Sequence, residues 1–288
     1  MLIVAGAGVG PNSVTLEVVE ALRRADKVYV ETYTSPASRW LLDLAYRHSG
    51  RVVEASRRVL EEESWRVVEE AREKTVVVLS PGDPLIATTH QALLAEASAR
   101  GVEAKYVPGV SGVTAAKAYS GLSYYRFGRA ATAPGPWRQA KPFSVILTLY
   151  GNLCIDAHTL ILLDVSDEGE MLSPATAASL LLEHERVVSR ELKTPLILHQ
   201  TPLILVVAAG RESARIELYD SALDLTASES SVEEPSSLIA PAPLSGSEAW
   251  VLESRTRRRL LEVWVKRGYS RRDACSSYEA LLDWLSRD

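Results

Sequence analysis

The chain has 288 residues, a hydrophobic share of 47% and a formal charge of −5, from 32 basic and 37 acidic residues. This length points to two domains or one large α/β unit. The acidic balance speaks against a general nucleic-acid binder, whose footprint would be basic, while the Arg-rich cations leave room for local patches. No apolar run approaches the roughly 18 residues that a membrane helix needs, and Met1 leads into a strand-like segment without a basic leader. Both features point to a soluble, cytoplasmic protein with no membrane partner. Cys154 and Cys275 are far apart, match no zinc or redox spacing and fit thiols in a reducing compartment. Asn occurs only at 12 and 152, and Gln only at 91, 139 and 200. So few labile amides, with abundant Arg and Glu, point to a thermophilic source.

In chain order, Leu2 to Ala5 reads as a strand, followed by the glycine-rich turn Gly6-Ala-Gly8-Val-Gly10-Pro11. Thr15 to Ala25 reads as a helix with apolar positions at Leu16, Val19, Ala21 and Leu22, and Lys27 to Val30 as a second strand ending at Glu31. This β-loop-α-β opening begins a doubly wound sheet. The spacing G-x-G-x-G is not the dinucleotide fingerprint, because Pro11 holds the sixth position, although Glu31 sits about where a ribose-binding acid would be. Pro36 to His48 is expected as a helix, Val52 and Val53 as a short strand, and Leu60 to Lys74 as one helix with a solvated charged face.

Val76 to His90, VVVLSPGDPLIATTH, is the stretch with the most information. Its β-branched run reads as a buried strand stopped by Pro81, Gly82, Asp83 and Pro84. Thr88 or Thr89 is the expected cap of a helix running to about Arg100. A turn at the carboxyl end of such a strand is where open α/β sheets bind ligands, and Asp83 is either a local cap or a ligand-positioning acid. Val102 to Val107 reads as a strand, Pro108 to Gly112 as a second glycine-rich turn, and Val113 to Ala118 as the start of a helix.

Beyond Gly121 the pattern changes. Phe127 to Thr132 and Thr159 to Val165 read as strands, Ala133 to Lys141 as loop, and Phe143 to Tyr150 as either helix or strand. Ser173 to Val188 reads as a helix with Pro174 in its first turn. Leu203 to Ala209 is a buried strand, with Ala214 to Tyr219 as a neighbouring strand or turn. Ser228 to Ser237 is expected as a polar loop, and Leu238 to Pro243 as an edge strand, its prolines barring a central place. Trp250 to Glu253 is expected as a final strand, and Arg255 to Asp288 as a helical tail broken at Gly268-Tyr-Ser270. The domains then run 1–122 and 123–254, with the tail at 255–288.

Four segments together are distinctive. The glycine loop GAGVG, VETYTS at 30–35, PGDPLIATTH at 81–90 and YRFG at 125–128 resemble the diphthine synthases, the diphthamide-biosynthesis branch of the tetrapyrrole methylase-like family. LLDV at 162–165 and LVVAAG ending at Gly210 continue the resemblance, which covers roughly residues 1–250. The GDP turn belongs to the wider family, and the YTS, ATTH and YRFG elements to the narrower branch. The segment from Pro134 to His158 departs from the usual pattern, and the resemblance does not extend to the tail.

The resemblance implies two α/β domains of the tetrapyrrole methylase type with S-adenosylmethionine in the cleft between them, and a homodimer. It implies an N-methyltransferase acting on the amine of a carboxy-aminopropyl group on a histidine of elongation factor 2, giving diphthine. Cofactor contacts are implied for Val9, Asp83, Ile86, Ser111, Gly112, Leu163, Ala209 and Ser236; at this last position the family often has His. The apolar members serve a nucleoside only through shape and main-chain hydrogen bonds; taken singly they would be plain core. Tyr124 and Tyr125 are expected to pack in the core, or to face the positive charge of the methylated amine. No catalytic base and no metal cluster is identified, and His158, His184 and His199 are expected in structural or surface roles. The alternatives are a precorrin or uroporphyrinogen methyltransferase, and a non-catalytic module that binds S-adenosylmethionine.

Overall fold

The computed structural model describes residues 1–34, 39–139, 141, 143–228, 232, 235–266 and 268–286. The chain forms two compact units. The first comprises Met1–Ala115 with the excursions Asp167–Glu170 and Ala209–Glu212; the second comprises Ala116–Ser166, Met171–Ala208 and Ser213–Asp288.

The first unit contains β1 (Leu2–Gly6), α1 (Leu16–Arg24), β2 (Lys27–Glu31), α2 (Arg39–His48), β3 (Val52–Ala55), α3 (Ser64–Glu70), β4 (Val76–Ser80), α4 (Gln91–Ala99) and β5 (Ala104–Val107); α5 (Gly112–Tyr119) begins in it. Its sheet has the order β3-β2-β4-β1-β5, and every pairing is parallel. Alternation along the strands sorts side chains to two faces. Ile3, Ala5, Val28, Val30, Val77 and Leu79 pack with Val18 and Leu22 of α1 and Leu41 of α2. Leu2, Val4, Tyr29, Val76 and Val78 pack with Val67 of α3 and Leu93 of α4 on the other face. The helices after the neighbouring strands β1 and β4 therefore leave on opposite faces. That divergence makes the topological switch point at which doubly wound sheets hold ligands.

The second unit contains β6 (Ala131–Ala133), α6 (Phe143–Cys154), β7 (Thr159–Leu163), α7 (Pro174–Leu192), β8 (Leu203–Val207), β9 (Arg215–Tyr219), α8 (Ala222–Thr226), β10 (Ser236–Ala240), α9 (Gly246–Thr256) and α10 (Arg271–Leu285). Its mixed sheet runs β6-β7-β10-β8-β9; β6 and β7 pair parallel, and the other neighbouring strands among the described residues pair antiparallel. Helix α6 is apolar on two sides. Val145 and Leu149 pack in the sheet's core, while Ile146, Tyr150 and Leu153 pack with Ala274 and Leu281 of α10. Burial on both sides explains why segment 143–150 shows neither clear period.

Several expectations are corrected. Leu16 is 84% exposed, and α1 buries Val18 beside the expected Ala21 and Leu22. The single helix expected over 60–74 is split into a π-type turn at Arg58–Glu62 and α3, which ends at Glu70. Neither Thr88 nor Thr89 caps α4; the helix opens at Gln91 with His90 in the cap position. β10 lies at the centre of its sheet, because Pro241 and Pro243 fall beyond its end and cost no ladder hydrogen bond. Ser236 and Ser237 belong to this strand rather than to a loop. Trp250 to Glu253 lies in α9, whose start is set by a capping box between Ser245 and Glu248. Ser35 and Pro36 lie outside the described residues.

The two cysteines are not free thiols. Cys154 and Cys275 form a disulfide across a separation of 121 residues, fixing α10 to the end of α6. Arg271 adds a bond from Nε to the Cys154 carbonyl at 2.6 Å. Further up the tail, Trp264 donates Nε1–H to Asp220 at 2.6 Å, and Arg258 pairs with the same carboxylate. Closing so long a loop restricts the unfolded chain by about 2–4 kcal/mol. The double variant Cys154→Ser/Cys275→Ser should therefore melt lower than the oxidised parent. Reductant should lower the parent's Tm and leave the variant's unchanged in calorimetric scans.

Candidate functional site

Parallel pairing of β4, β1 and β5 brings their following loops to one edge of the first sheet. There the backbones lock together. The Ala7 N–H donates to the Ser80 carbonyl at 2.9 Å, and Gly8 and Gly82 exchange two bonds of 3.0 and 2.9 Å. A Cβ at Gly6 would lie 2.5 Å from the Gly82 oxygen, 2.7 Å from Pro84 Cδ and 2.8 Å from the Gly109 nitrogen. Only glycine permits this approach of the three turns, and Gly82 also takes φ +67°.

Asp83 is the polar centre of this crossing and is 4% exposed. Its Oδ1 accepts from Leu85 N–H at 2.9 Å; Oδ2 accepts from the Tyr106 hydroxyl at 2.6 Å and Gly109 N–H at 3.1 Å. One carboxylate thus caps its own turn and ties it to the end of β5 and the turn after it. Burial, with the neighbouring carboxylate, pushes the Tyr106 hydroxyl up to about 12.

Around this knot the structure gathers most of the implied contact residues. Val9 Cγ1 lies 4.0 Å from where a Gly112 Cβ would be, and Gly112 N lies 3.6 Å from a Cβ built on Gly82. The Val9 carbonyl accepts from Arg211 Nε at 2.9 Å, and Gly210 leaves room for the Val9 side chain that a Cβ would fill. Ala209, next to Gly210, joins this group. Ile86 is 41% exposed on the Asp83 turn. Ser111 is buried, and its Oγ accepts from Val113 N–H at 3.2 Å at the start of α5. Leu163 and Ser236 lie in the second unit, one step beyond the Ser237–Leu162 pairing of β10 with β7.

The VETYTS and ATTH segments also meet, a contact the sequence reading missed. Glu31, at the end of β2, bonds His90 Nε2 through Oε2 at 2.6 Å, with both side chains 1% exposed. Thr89 Oγ1 and the Tyr33 hydroxyl both bond Glu61 Oε1, at 3.0 and 3.3 Å. The available signal was an acid directly after the apolar run Val28–Val30.

In YRFG the aromatic expectation fails in part. Tyr124 and Tyr125 are 59% and 98% exposed, so neither is core; Lys117 Nζ lies 5.4 Å from the Tyr124 ring centre. Arg126 is the structural member, pairing with Glu248 and donating to the Pro243 carbonyl at 2.9 Å. Glu248 also accepts from His158 Nε2 at 3.0 Å, Ser123 N–H at 3.0 Å and Ser245 N–H at 2.9 Å. His158 Nδ1 accepts from Ala242 N–H at 2.8 Å, which puts the ring proton on Nε2 when the ring is neutral.

These observations define a parallel α/β sheet whose turns cross at a switch point, and the comparisons name the class. The family described as Tetrapyrrole (Corrin/Porphyrin) Methylases matches residues 1–218, and the chain belongs to it. A diphthine synthase of Aeropyrum pernix is 46% identical over 264 residues, covering 91% of this chain and 90% of the relative. A crystal structure of a conserved hypothetical protein from Aeropyrum pernix K1 matches with TM-score 0.86 and 43% identity, over 100% of this chain and 96% of that one. A crystal structure of diphthine synthase matches with TM-score 0.74 and 30% identity, over 88% and 96% of the two chains. Within the methylases, then, the chain is a member of the diphthine synthase family and a methyltransferase. The tail, which the sequence resemblance did not reach, lies inside the Aeropyrum structural match.

Burial alone would raise the Glu248 carboxyl, but hydrogen bonds from Ser245, His158 and Ser123 hold it at about 2, below the ordinary 4.5. A lowered folded pKa gives stability that is complete above about pH 4.5 and drains away as pH falls through 2. Glu248→Gln should flatten the acid side of the stability curve, removing on the order of 3 kcal/mol of its pH-dependent fall. Chemical denaturation between pH 2 and 6 measures this.

Proposed function

We propose that this methyltransferase uses S-adenosylmethionine to methylate the amine of the carboxy-aminopropyl group on a histidine of elongation factor 2, giving diphthine. The observation that carries the reading is the convergence of Val9, Asp83, Ile86, Ser111, Gly112 and Ala209 about one knot of turns. The residues suit the donor. Ile86 and Val110, 41% and 43% exposed, offer hydrocarbon, and the crossing turns offer main-chain groups. Asp83 positions that surface by holding the β4 and β5 turns together. Leu163 and Ser236 are further proposed contacts, on the strength of the sequence resemblance.

Bound there, S-adenosylmethionine supplies an activated methyl group, and the protein's part is alignment and exclusion of water. Relatives named diphthine synthase favour a protein acceptor over a tetrapyrrole and a catalyst over a passive binding module. Elongation factor 2 as substrate implies the cytoplasm. Among the described residues no helix is long and apolar enough to cross a membrane. Scarce amides and an internal disulfide support a thermophilic source, since intracellular proteins of hyperthermophiles do carry such bridges. A homodimer is proposed from the resemblance.

Two measurements test this. Incubation with S-adenosylmethionine and elongation factor 2 carrying the carboxy-aminopropyl group should raise the factor's mass in steps of one methyl. Gain on a tetrapyrrole precursor, and none on the factor, would overturn the reading. Asp83→Ala leaves the half-buried Tyr106 hydroxyl and Gly109 N–H without their acceptor. Calorimetry should show donor affinity reduced at least about tenfold; unchanged affinity would refute the positioning role.

A further inference from the structure

A methyl acceptor that arrives as an ammonium must lose a proton before its nitrogen can attack, and the residues above hold the donor without taking that proton. We propose that His90 is the proton acceptor of the reaction, with Glu31 as its positioning residue. The inference rests on the amine-methylation reading.

The placement comes from the strands. Glu31 ends β2 and follows Tyr29, whose side chain lies on the α3–α4 face of the sheet. β2 pairs with β4 at Val30–Leu79, so Glu31 and Ser80 are the next neighbours, at the carboxyl edge of adjacent strands. The turn carrying Asp83 and Ile86 returns over this edge and delivers His90 to the start of α4. Glu31 Oε2 and His90 Nε2 meet there at 2.6 Å.

Among the described residues, His90 Nδ1 and Ser80 Oγ, on residues 2% and 0% exposed, have no hydrogen-bond partner. Buried polar atoms are almost always paired, by protein, water or ligand. With the ring neutral and its Nε2 proton donated to Glu31, Nδ1 presents a lone pair directed away from that carboxylate. A carboxylate behind an imidazole with a free second nitrogen is the arrangement of a general base. Ser80 Oγ supplies a second polar contact for the entering group.

In the step, the acceptor's N–H bond breaks and its electron pair stays on nitrogen for attack. The proton forms a bond to His90 Nδ1, giving an imidazolium whose charge Glu31 balances. After product leaves, that proton passes to water and the neutral ring is restored. Other charged or titratable groups in this cluster are Glu61 with Tyr33 on the neighbouring turn, and Arg57, whose guanidinium lies 5.2 Å from the Tyr33 ring centre. Each methylation of a still-protonated amine uses the same acceptor.

The test compares the parent with His90→Asn and Glu31→Gln on elongation factor 2 carrying the carboxy-aminopropyl group, across pH 6 to 10. Donor binding by calorimetry and the melting temperature certify each fold. His90→Asn should bind donor within about twofold of the parent yet lose about 10²–10⁴-fold in kcat at pH 7. The deficit should shrink as pH rises and the amine deprotonates unaided. Glu31→Gln should give a smaller loss with the same pH trend. If His90→Asn fails to fold, Glu31→Gln carries the test by that trend. A parent-like kcat–pH profile in the folded variants overturns the inference and leaves a buried structural pair. No methyl transfer by the parent overturns the underlying reading instead.

Discussion

The buried Asp83 carboxylate is the interaction on which the first unit's functional edge depends. Three loops leave parallel strands there, and each would otherwise expose unpaired main-chain groups. Asp83 accepts from its own turn, from the turn after β5 and from Tyr106, which joins two loops at one side chain. It can do so because Gly6 and Gly109 carry no Cβ where the backbones cross, and Gly82 takes a positive φ. Shape and charge are thus coupled. A side chain on Gly6 would push the turns apart and lengthen the bonds that satisfy the buried carboxylate.

A comparable centre organises the second unit. Glu248 serves the cap of its own helix while gathering the backbone of Ser123, the guanidinium of Arg126 and the ring of His158. Residues far apart in sequence therefore depend on one acid, and the YRFG segment owes its shape to Arg126. Phe127 packs edge-on against the His158 ring, with centroids 5.3 Å apart, while Tyr125 is almost wholly exposed.

Much of the first sheet was legible because its strands are short, β-branched and bounded by Gly or Pro, and a parallel sheet buries both faces. The turns at Gly6, Gly82 and Gly109 announced themselves by composition, and Asp83 by lying between two prolines. The second unit was harder to read for physical reasons. α6 is buried on two sides, so its period is blurred. The prolines that suggest an edge place for β10 lie past its end. Trp250 looked like strand, yet the capping box that starts its helix stood five residues upstream at Ser245. The disulfide joins positions whose proximity depends on α10 packing against α6, and no local spacing encodes that. The Glu31–His90 pair likewise exists only because β2 and β4 are neighbours.

The place of β10 has a consequence for synthesis. All five strands of the first sheet lie within the first 107 residues, so that sheet can form while the ribosome is still extending the chain. The second sheet completes much later. Its middle strand is the last to be made, and β7 and β8 have no shared neighbour until Ser236–Ala240 emerges. Until then, two apolar strands wait with open edges, and the nascent second unit is the part of the molecule most exposed to wrong partners in the cell.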